Sequence, residues 1–413
     1  MPMTTGEANE ANTTNMQHTG LILISGVEAP GVTQALFATL EEFSIKILDI
    51  EQVVIRGRLI LTTLISLDPA HASAIEADLI AATNKLNLDL AIDFTDQTKA
   101  DAANPNLHIV ALSQELRPAG VAAIATKIAQ RGGNIDRIRR TASYPLTAIE
   151  FEVTLASTQD ELKIIQRELA EIARSNNIDL AVEQSGLARR AKRIVLLDMD
   201  STLIQQEVID VIAAKHNVGP QVAEITERAM RGELDFAGSL NARVGLLTGA
   251  SVDILEEVKT EITLTPGART LIRTLHRLGH KVGVVSGGFI DVIEPLLKDL
   301  NIDFYRANKL EIADGKLTGK ITGQLIDRNA KAEALREFAD AEGVSLAQTI
   351  AIGDGANDLG MLEIAGLGIA FNAKPAVRAA ASSSITSPYL DSVLYLMGIT
   401  REEIESADRA SND

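Results

Sequence analysis

Three short polar clusters, each cutting off an apolar run, hold the residues of this sequence best suited to chemistry. Ile194–Leu197 ends at Asp198-Met199-Asp200-Ser201-Thr202, Val282–Val285 ends at Ser286-Gly287-Gly288, and Thr349–Ile352 ends at Gly353-Asp354-Gly355-Ala356-Asn357-Asp358. Asp198 and Asp354 offer carboxylate oxygens from separate run ends, the hard donors that suit Mg²⁺ with water completing its octahedron. Ser286-Gly287-Gly288 leads into the helical pattern Phe289–Ile293, so its hydroxyl and backbone N–H groups are expected at a helix N-terminus, where anions bind. Lys331 falls in the first turn of a helix that Asn329 could cap; a cation there opposes the macrodipole, so an anion should compensate it. A metal, an anion nest, a lysine and paired acids at one sheet edge describe a site for phosphoryl transfer.

Those clusters need a scaffold that brings them together. Continuous apolar runs separated by helical periods imply parallel strands buried on both faces. In such open α/β sheets, sites form beyond the carboxyl ends of the strands, which is where all three clusters fall. The stretch between the first two runs is helical in pattern and reads as a small cap, about residues 205–265 of a parallel-sheet, Rossmann-like α/β domain covering 190–400. Thr400-Arg401-Glu402-Glu403 reads as a capping box opening a terminal helix, with 401–413 as the C-terminal helix and tail.

Ahead of that domain the order strand, helix, strand, strand, helix, strand occurs twice, in 20–97 and again in 105–185. The first copy carries the helical series Val32, Leu36, Leu40, Phe43 after Pro30-Gly31; the second carries Val121, Ile124, Ile128 after Pro118-Ala119-Gly120. Two βαββαβ units of this kind are ferredoxin-like. Thr95–Pro105 is polar and aperiodic and reads as the linker between them. Residues 1–19 read as a disordered tail without the basic and apolar segments of a signal peptide.

Composition narrows the possibilities. The 413 residues carry 39 Lys plus Arg against 56 Asp plus Glu, a formal net charge of −17, and no cysteine. At roughly 100–200 residues per domain, the length suggests about two to four domains. The missing thiols exclude disulfides, zinc fingers and cysteine nucleophiles. The negative balance argues against nucleic acid or an anionic membrane surface as partner. The apolar runs are far shorter than the about 20 residues a membrane span needs, so a cytoplasmic location is expected.

The segment from Ala191 to near Thr400 resembles the haloacid-dehalogenase-like phosphatases through Asp198–Leu203, Ser286–Gly288, Lys331 and Gly353–Asp358. Within that superfamily it is most similar to the phosphoserine phosphatases, whose pattern also includes Glu207 and the Phe236–Val244 segment with Ser239, Leu240 and Arg243. The resemblance implies Mg²⁺-dependent hydrolysis of O-phospho-L-serine to L-serine and phosphate through an aspartyl-phosphate, the last step of serine biosynthesis. It makes Asp198 the nucleophile and Asp200 the general acid and base, with Lys331, Ser286, Gly287 and Gly288 neutralising phosphate charge and Asn357 reaching phosphate or substrate. The metal set it implies is the Asp198 carboxylate, the Asp200 carbonyl and the Asp354 carboxylate, with Asp358 holding metal-bound water or Lys331. Glu207 fits the substrate ammonium and Arg243 its carboxylate, because a guanidinium fork matches a carboxylate bidentately. Met230 and Phe236 would supply apolar walls, and Ser201 and Thr202 would shape the turn, Thr202 through a side-chain hydrogen bond.

The N-terminal units resemble ACT domains, which implies a homodimer and an amino-acid effector, here serine. Two alternatives stand beside this reading. One is a phosphatase or phosphotransferase for another small phosphomonoester; the other is an amino-acid sensor whose catalytic half is vestigial.

Overall fold

Two copies of one βαββαβ plan open the chain, and they differ in what covers their sheets. The computed structural model describes residues 16–98, 106–155, 159–381 and 383–410. In the first copy, β1 (Met16–Val27), β2 (Lys46–Ile55), β3 (Arg58–Ser66) and β4 (Asp89–Thr98) form an antiparallel sheet in the order β2-β3-β1-β4. Helices Val32–Leu40 and Ala72–Lys85 bury Val32, Leu36, Leu40, Ile75 and Leu79, spaced four apart within each helix so that each set shares one face. The sheet answers with a two-residue period: Ile22 and Ile24 are buried, whereas Leu21 and Leu23 are exposed. The Pro-Gly turn works through Gly31, whose φ of 94° lies where a Cβ would be strained.

This sheet reaches beyond the span read from sequence. Its first strand starts at Met16 and pairs with Thr98, so strand extends ahead of position 20 and into the polar segment read as a linker. Antiparallel pairing satisfies backbone groups whatever the side chains are, and a polar strand end therefore carries no apolar signature. Residues 1–15, 99–105 and 411–413, the rest of the expected tails and linker, lie outside the described residues.

The second copy comprises β5 (Leu107–Ser113), β6 (Asn134–Ala142), β7 (Thr147–Thr154) and β8 (Asp179–Gln184), in the order β6-β7-β5-β8. One sheet face packs Ile109, Ala111, Phe151 and Val153 with residues of helices Pro118–Gln130 and Gln159–Ser175. Its other face sends Val110, Leu112, Ala148 and Ala181 into the core of the domain that follows. Consequently Leu107–Leu112 is buried without alternation. The chain parts into two compact units between residues 103 and 104, so this second copy belongs to one unit with the C-terminal domain and the first copy to the other. Arg189 sits at the junction, donating to Glu150 Oε1 at 3.3 Å and to the Leu396 carbonyl at 3.4 Å.

The C-terminal domain is built on a seven-stranded sheet. Its strands are β9 (Ile194–Leu197), β10 (Lys281–Phe289), β11 (Phe304–Ala313), β12 (Lys316–Thr322), β13 (Thr349–Gly353), β14 (Leu367–Phe371) and β15 (Ser383–Ile385), in the order β12-β11-β10-β9-β13-β14-β15. All neighbours are parallel except β11 and β12. Alternate residues of β9 serve opposite cores. Val195 and Leu197 pack with Leu271, Leu275, Val292 and Ile293, whereas Leu196 packs with Ala330, Ala334, Leu335 and Met361. That two-sided burial is why the run is uniformly apolar. Four helices, Val208–Lys215, Gly219–Met230, Phe236–Gly245 and Asp253–Glu261, occupy the segment enclosed by a bridge between Ile204 and Leu264, and a fifth, Ala268–Arg277, leads from it to β10. Thr400 and Glu403 form the expected capping box on Arg401–Arg409. Among the described residues, no helix is long and apolar enough to cross a membrane.

Candidate active site

Strand register brings the clusters together. Leu197 pairs with Val284 on one side and with Ile352 on the other, so Asp198 and Asp354, which follow β9 and β13, stand beside Ser286 near the carboxyl end of β10. The chain leaves β9 for β10 on one side and reaches β13 on the other, the switch point at which open α/β sheets form sites.

Lys331 is the centre of the arrangement. It has no solvent exposure, and its Nζ lies 2.7 Å from Asp198 Oδ1 and 2.7 Å from Asp358 Oδ1. Burial works against its charge, but the two carboxylates outweigh it and raise its pKa. The helix Arg328–Ala341 that carries it is capped by Asp327, which accepts from Ala330 N–H at 2.8 Å, and not by Asn329 as the sequence suggested. The N-cap needs extended backbone, and Asp327 has it at φ −101° and ψ −170°. The cation opposing the dipole is compensated by the two aspartates.

Asp198 Oδ1 also accepts from Met199 N–H at 2.7 Å, which leaves Oδ2 without a donor among the described residues. Burial, then the Asp358 charge, raise the Asp198 pKa well above the usual carboxylate range. Asp200 accepts from Val208 N–H at 2.9 Å and from the Ser286 hydroxyl at 3.3 Å. Burial and the neighbouring Glu207 push its pKa up to about 7, so it exchanges a proton near neutrality.

The Ser286 cluster departs from expectation. Strand β10 runs through it to Phe289 and the helix begins only at Ile290; the Ser286 hydroxyl accepts from Gly288 N–H at 2.8 Å. The two glycines let the strand continue as a bulge, which apolar periodicity alone does not reveal. A Cβ on Gly288 would lie 2.6 Å from Asp200 Oδ2, so closeness to that carboxylate requires glycine.

Asp198, Asp354 and Asp358 each place a carboxylate oxygen within 4.8 Å of the others. Burial, followed by Asp358 and Glu207, pushes Asp354 up to about 7. Crowded acids of this kind fit a hard divalent cation, which would relieve their repulsion. They are not equally available. Asp358 is committed through Oδ1 to Lys331 and through Oδ2 to Gly355 N–H at 2.8 Å, while among the described residues Asp354 Oδ1 accepts only from the Thr202 hydroxyl at 3.2 Å. The Thr202 side chain thus goes to Asp354 and not to its own turn; Ser201, at φ 56°, turns the chain and donates to Glu207 Oε1 at 2.7 Å.

Arg243 is drawn by the charges of Asp210, Glu207 and Asp200, but burial dominates and lowers its pKa. Its Nε is buried and has no hydrogen-bond partner among the described residues. Such an orphaned donor calls for an anionic ligand. Phe236 opens the same helix and faces Gly287, where a Cβ would meet its ring at 3.4 Å. Asn357 is half-buried in the loop after β13. Met230 ends its helix, and its side chain lies outside the described residues. Asn308, a buried amide on β11, carried no signal in the sequence, because Arg306, Lys309 and Glu311 on the same strand make one more polar residue unremarkable.

Residues 195–363 match the haloacid dehalogenase-like hydrolase family, and residues 18–94 and 106–183 each match an ACT domain. The chain is 49% identical over 409 residues to a phosphoserine phosphatase of Streptomyces coelicolor, covering 98% of both chains. It is 48% identical over 391 residues to a phosphoserine phosphatase of Mycobacterium tuberculosis, covering 94% of this chain and 95% of the other. A crystal structure of a probable phosphoserine phosphatase from Vibrio cholerae superposes with a TM-score of 0.55 at 34% identity, over 72% of this chain and 88% of that one.

Proposed function

This chain belongs to the phosphoserine phosphatase family of haloacid dehalogenase-like hydrolases and carries two ACT domains, and from that premise we propose that it hydrolyses O-phospho-L-serine to L-serine and phosphate. The observation that carries the reading is the buried Lys331 ammonium in contact with both Asp198 and Asp358.

In the proposed reaction an Asp198 carboxylate oxygen attacks phosphorus, and the bond from phosphorus to the serine oxygen breaks. An alkoxide leaves poorly, so Asp200 gives it a proton as it departs. The aspartyl-phosphate splits one displacement into two. Water then attacks phosphorus with its proton passing to Asp200, the acyl-phosphate bond breaks, and the Asp198 carboxylate is restored with phosphate free. Lys331 and the Ser286-Gly287-Gly288 donors offset the charge gathering on phosphate, the dominant contribution in phosphoryl transfer. Asp198, the Asp200 carbonyl and Asp354 would hold Mg²⁺, with Asp358 keeping Lys331 in place. When bound, the ion supplies charge neutralisation between nucleophile and phosphate.

For the substrate's other half, Glu207 meets the ammonium and Arg243 the carboxylate, which supports an amino-acid ester over a generic phosphomonoester. Phe236 would wall the pocket against water, and Asn357 would reach the phosphate. Phosphate release from O-phospho-L-serine, O-phospho-L-threonine, homoserine phosphate and p-nitrophenyl phosphate tests this assignment. Preference for phosphoserine is expected; equal turnover of all four removes the roles of Glu207 and Arg243. Acid-quenched labelled substrate should leave phosphate on Asp198, and none in Asp198→Asn.

The ACT domains support serine as a regulatory ligand and a homodimer as the working form. In the first domain the edge strand β2 is exposed at every position, with Ile47, Ile50, Val53 and Val54 in water. A bare apolar edge of this kind is a template for pairing with another chain.

A further inference from the structure

The ladder between β10 and β11 breaks where the site needs it to. Ser286 pairs with Ala307, and the next pair is Phe289 with Asn308, so Gly287 and Gly288 stand outside the register. Asn308 is 1% exposed and bridges that gap with its side chain. Its Nδ2 donates to the Gly287 carbonyl at 2.8 Å, and its Oδ1 accepts from Ile326 N–H at 2.9 Å.

Those two bonds join different parts of the site. The Gly287 carbonyl shares its peptide with Gly288 N–H, which holds the Ser286 hydroxyl oxygen at 2.8 Å, and Ile326 immediately precedes Asp327, the cap of the helix carrying Lys331. A carbonyl pinned on one side fixes the plane of its peptide, because the amide cannot rotate about its C–N bond. We propose that Asn308 is a positioning residue for phosphoryl transfer: it sets the orientation of the Gly287 peptide and ties it to the start of the Lys331 helix. The inference rests on the phosphatase reading but concerns only the phosphate half of the site. A buried amide satisfied at both ends by backbone has no equivalent in an apolar side chain of the same size, because replacing it leaves a carbonyl and an N–H unpaired.

The experiment compares the wild type with Asn308→Asp and Asn308→Ser in the full chain. Asn308→Asp keeps an acceptor for Ile326 N–H but sets a carboxylate oxygen against the Gly287 carbonyl; Asn308→Ser retains one donor and one acceptor on a shorter side chain. Each variant is measured for kcat/KM with phosphoserine and with p-nitrophenyl phosphate, for inhibition by inorganic phosphate, and for its melting temperature. We expect Asn308→Asp to lose at least about tenfold in kcat/KM on both substrates by the same factor, and to weaken phosphate inhibition at least about threefold. Asn308→Ser should recover part of both losses.

A residue that only supports the fold would lower the melting temperature without shifting phosphate inhibition. A folded Asn308→Asp with kcat/KM within twofold of wild type on both substrates overturns the proposal. If Asn308→Asp does not fold, Asn308→Ser decides by the same criterion. A loss confined to phosphoserine also overturns it, since that would locate the defect in the amino-acid half. A wild type that hydrolyses p-nitrophenyl phosphate but not phosphoserine would sink the substrate assignment alone, and the Asn308 comparison would still be read on the former.

Discussion

The ammonium of Lys331 and the carboxylate of Asp358 stand 2.7 Å apart with neither side chain exposed to solvent. Asp358 is in turn anchored by Gly355 N–H, so the loop after β13 fixes the lysine that faces Asp198. Position in this site passes from backbone to carboxylate to ammonium to nucleophile.

Removing the middle of that chain should be costly twice over. Lys331→Met leaves Asp198 and Asp358 buried without a counter-charge. A fall in kcat of at least about 100-fold is expected, with destabilisation of about 3–5 kcal/mol at neutral pH. Steady-state kinetics and urea denaturation measure both. A variant of wild-type stability would show that the aspartates do not need the cation.

Gly288→Ala probes the approach of strand to general acid. Its Cβ would meet Asp200 Oδ2 at 2.6 Å and Ser286 Oγ at 3.0 Å, and Val208 N–H holds Asp200 from moving freely. At least about tenfold loss of kcat is expected with a stability change of about 1–3 kcal/mol. Gly245→Ala, where nothing lies within 4 Å of the new Cβ, serves as the silent control.

Added Mg²⁺ should raise the melting temperature of the wild type, because a ligand bound by the folded state alone stabilises it. Asp354→Asn removes one carboxylate of the crowded set and should abolish most of that rise as well as the activity. A rise of equal size in both proteins would place the ion elsewhere.

Glu150 makes stability depend on pH in a defined direction. Burial alone would raise its pKa, but hydrogen bonds from His108 and Arg139 prevail and depress it from 4.5 to about 2. A depressed carboxylate contributes stability that is complete above about pH 4.5 and is lost as pH falls through about 2. The Glu150→Gln variant should therefore be less stable than wild type by about 1–3 kcal/mol at pH 7, allowing for solvent screening, with the gap closing between those limits. Urea midpoints at pH 7, 4 and 3 read this, and a gap independent of pH would refute it.

Ile50→Glu in β2 should shift the oligomeric state toward monomer while leaving phosphoserine turnover within about twofold, since a charge on a strand edge blocks pairing. Light scattering coupled to gel filtration decides; an unchanged molecular mass excludes β2 from the interface.

Much of the architecture could be read from residue order because burial leaves a period. Strands β9 and β13 are buried throughout because both faces are covered, while β3 alternates because one face meets water. The second ACT copy carried a signal of the same sort, Ile109-Val110-Ala111-Leu112 without alternation, which marks a sheet packed on two sides. The helix caps were harder. Asn329 and Asp327 both have side chains able to cap, and only backbone conformation distinguishes them.

Residue types and their order along the chain determined that acids, a serine and two glycines would stand near the carboxyl ends of parallel strands and a lysine in the first turn of a helix, since hydrophobic periodicity fixes which segments enter the core. Which oxygen meets which donor was decided by the folded chain alone: Thr202 to Asp354, Asp358 to Lys331, and Asn308 across the bulge to Gly287. The physical reason is range. Burial patterns are local and repeat every two or four residues, whereas a hydrogen bond between positions 202 and 354 exists only after two strands have paired in one register.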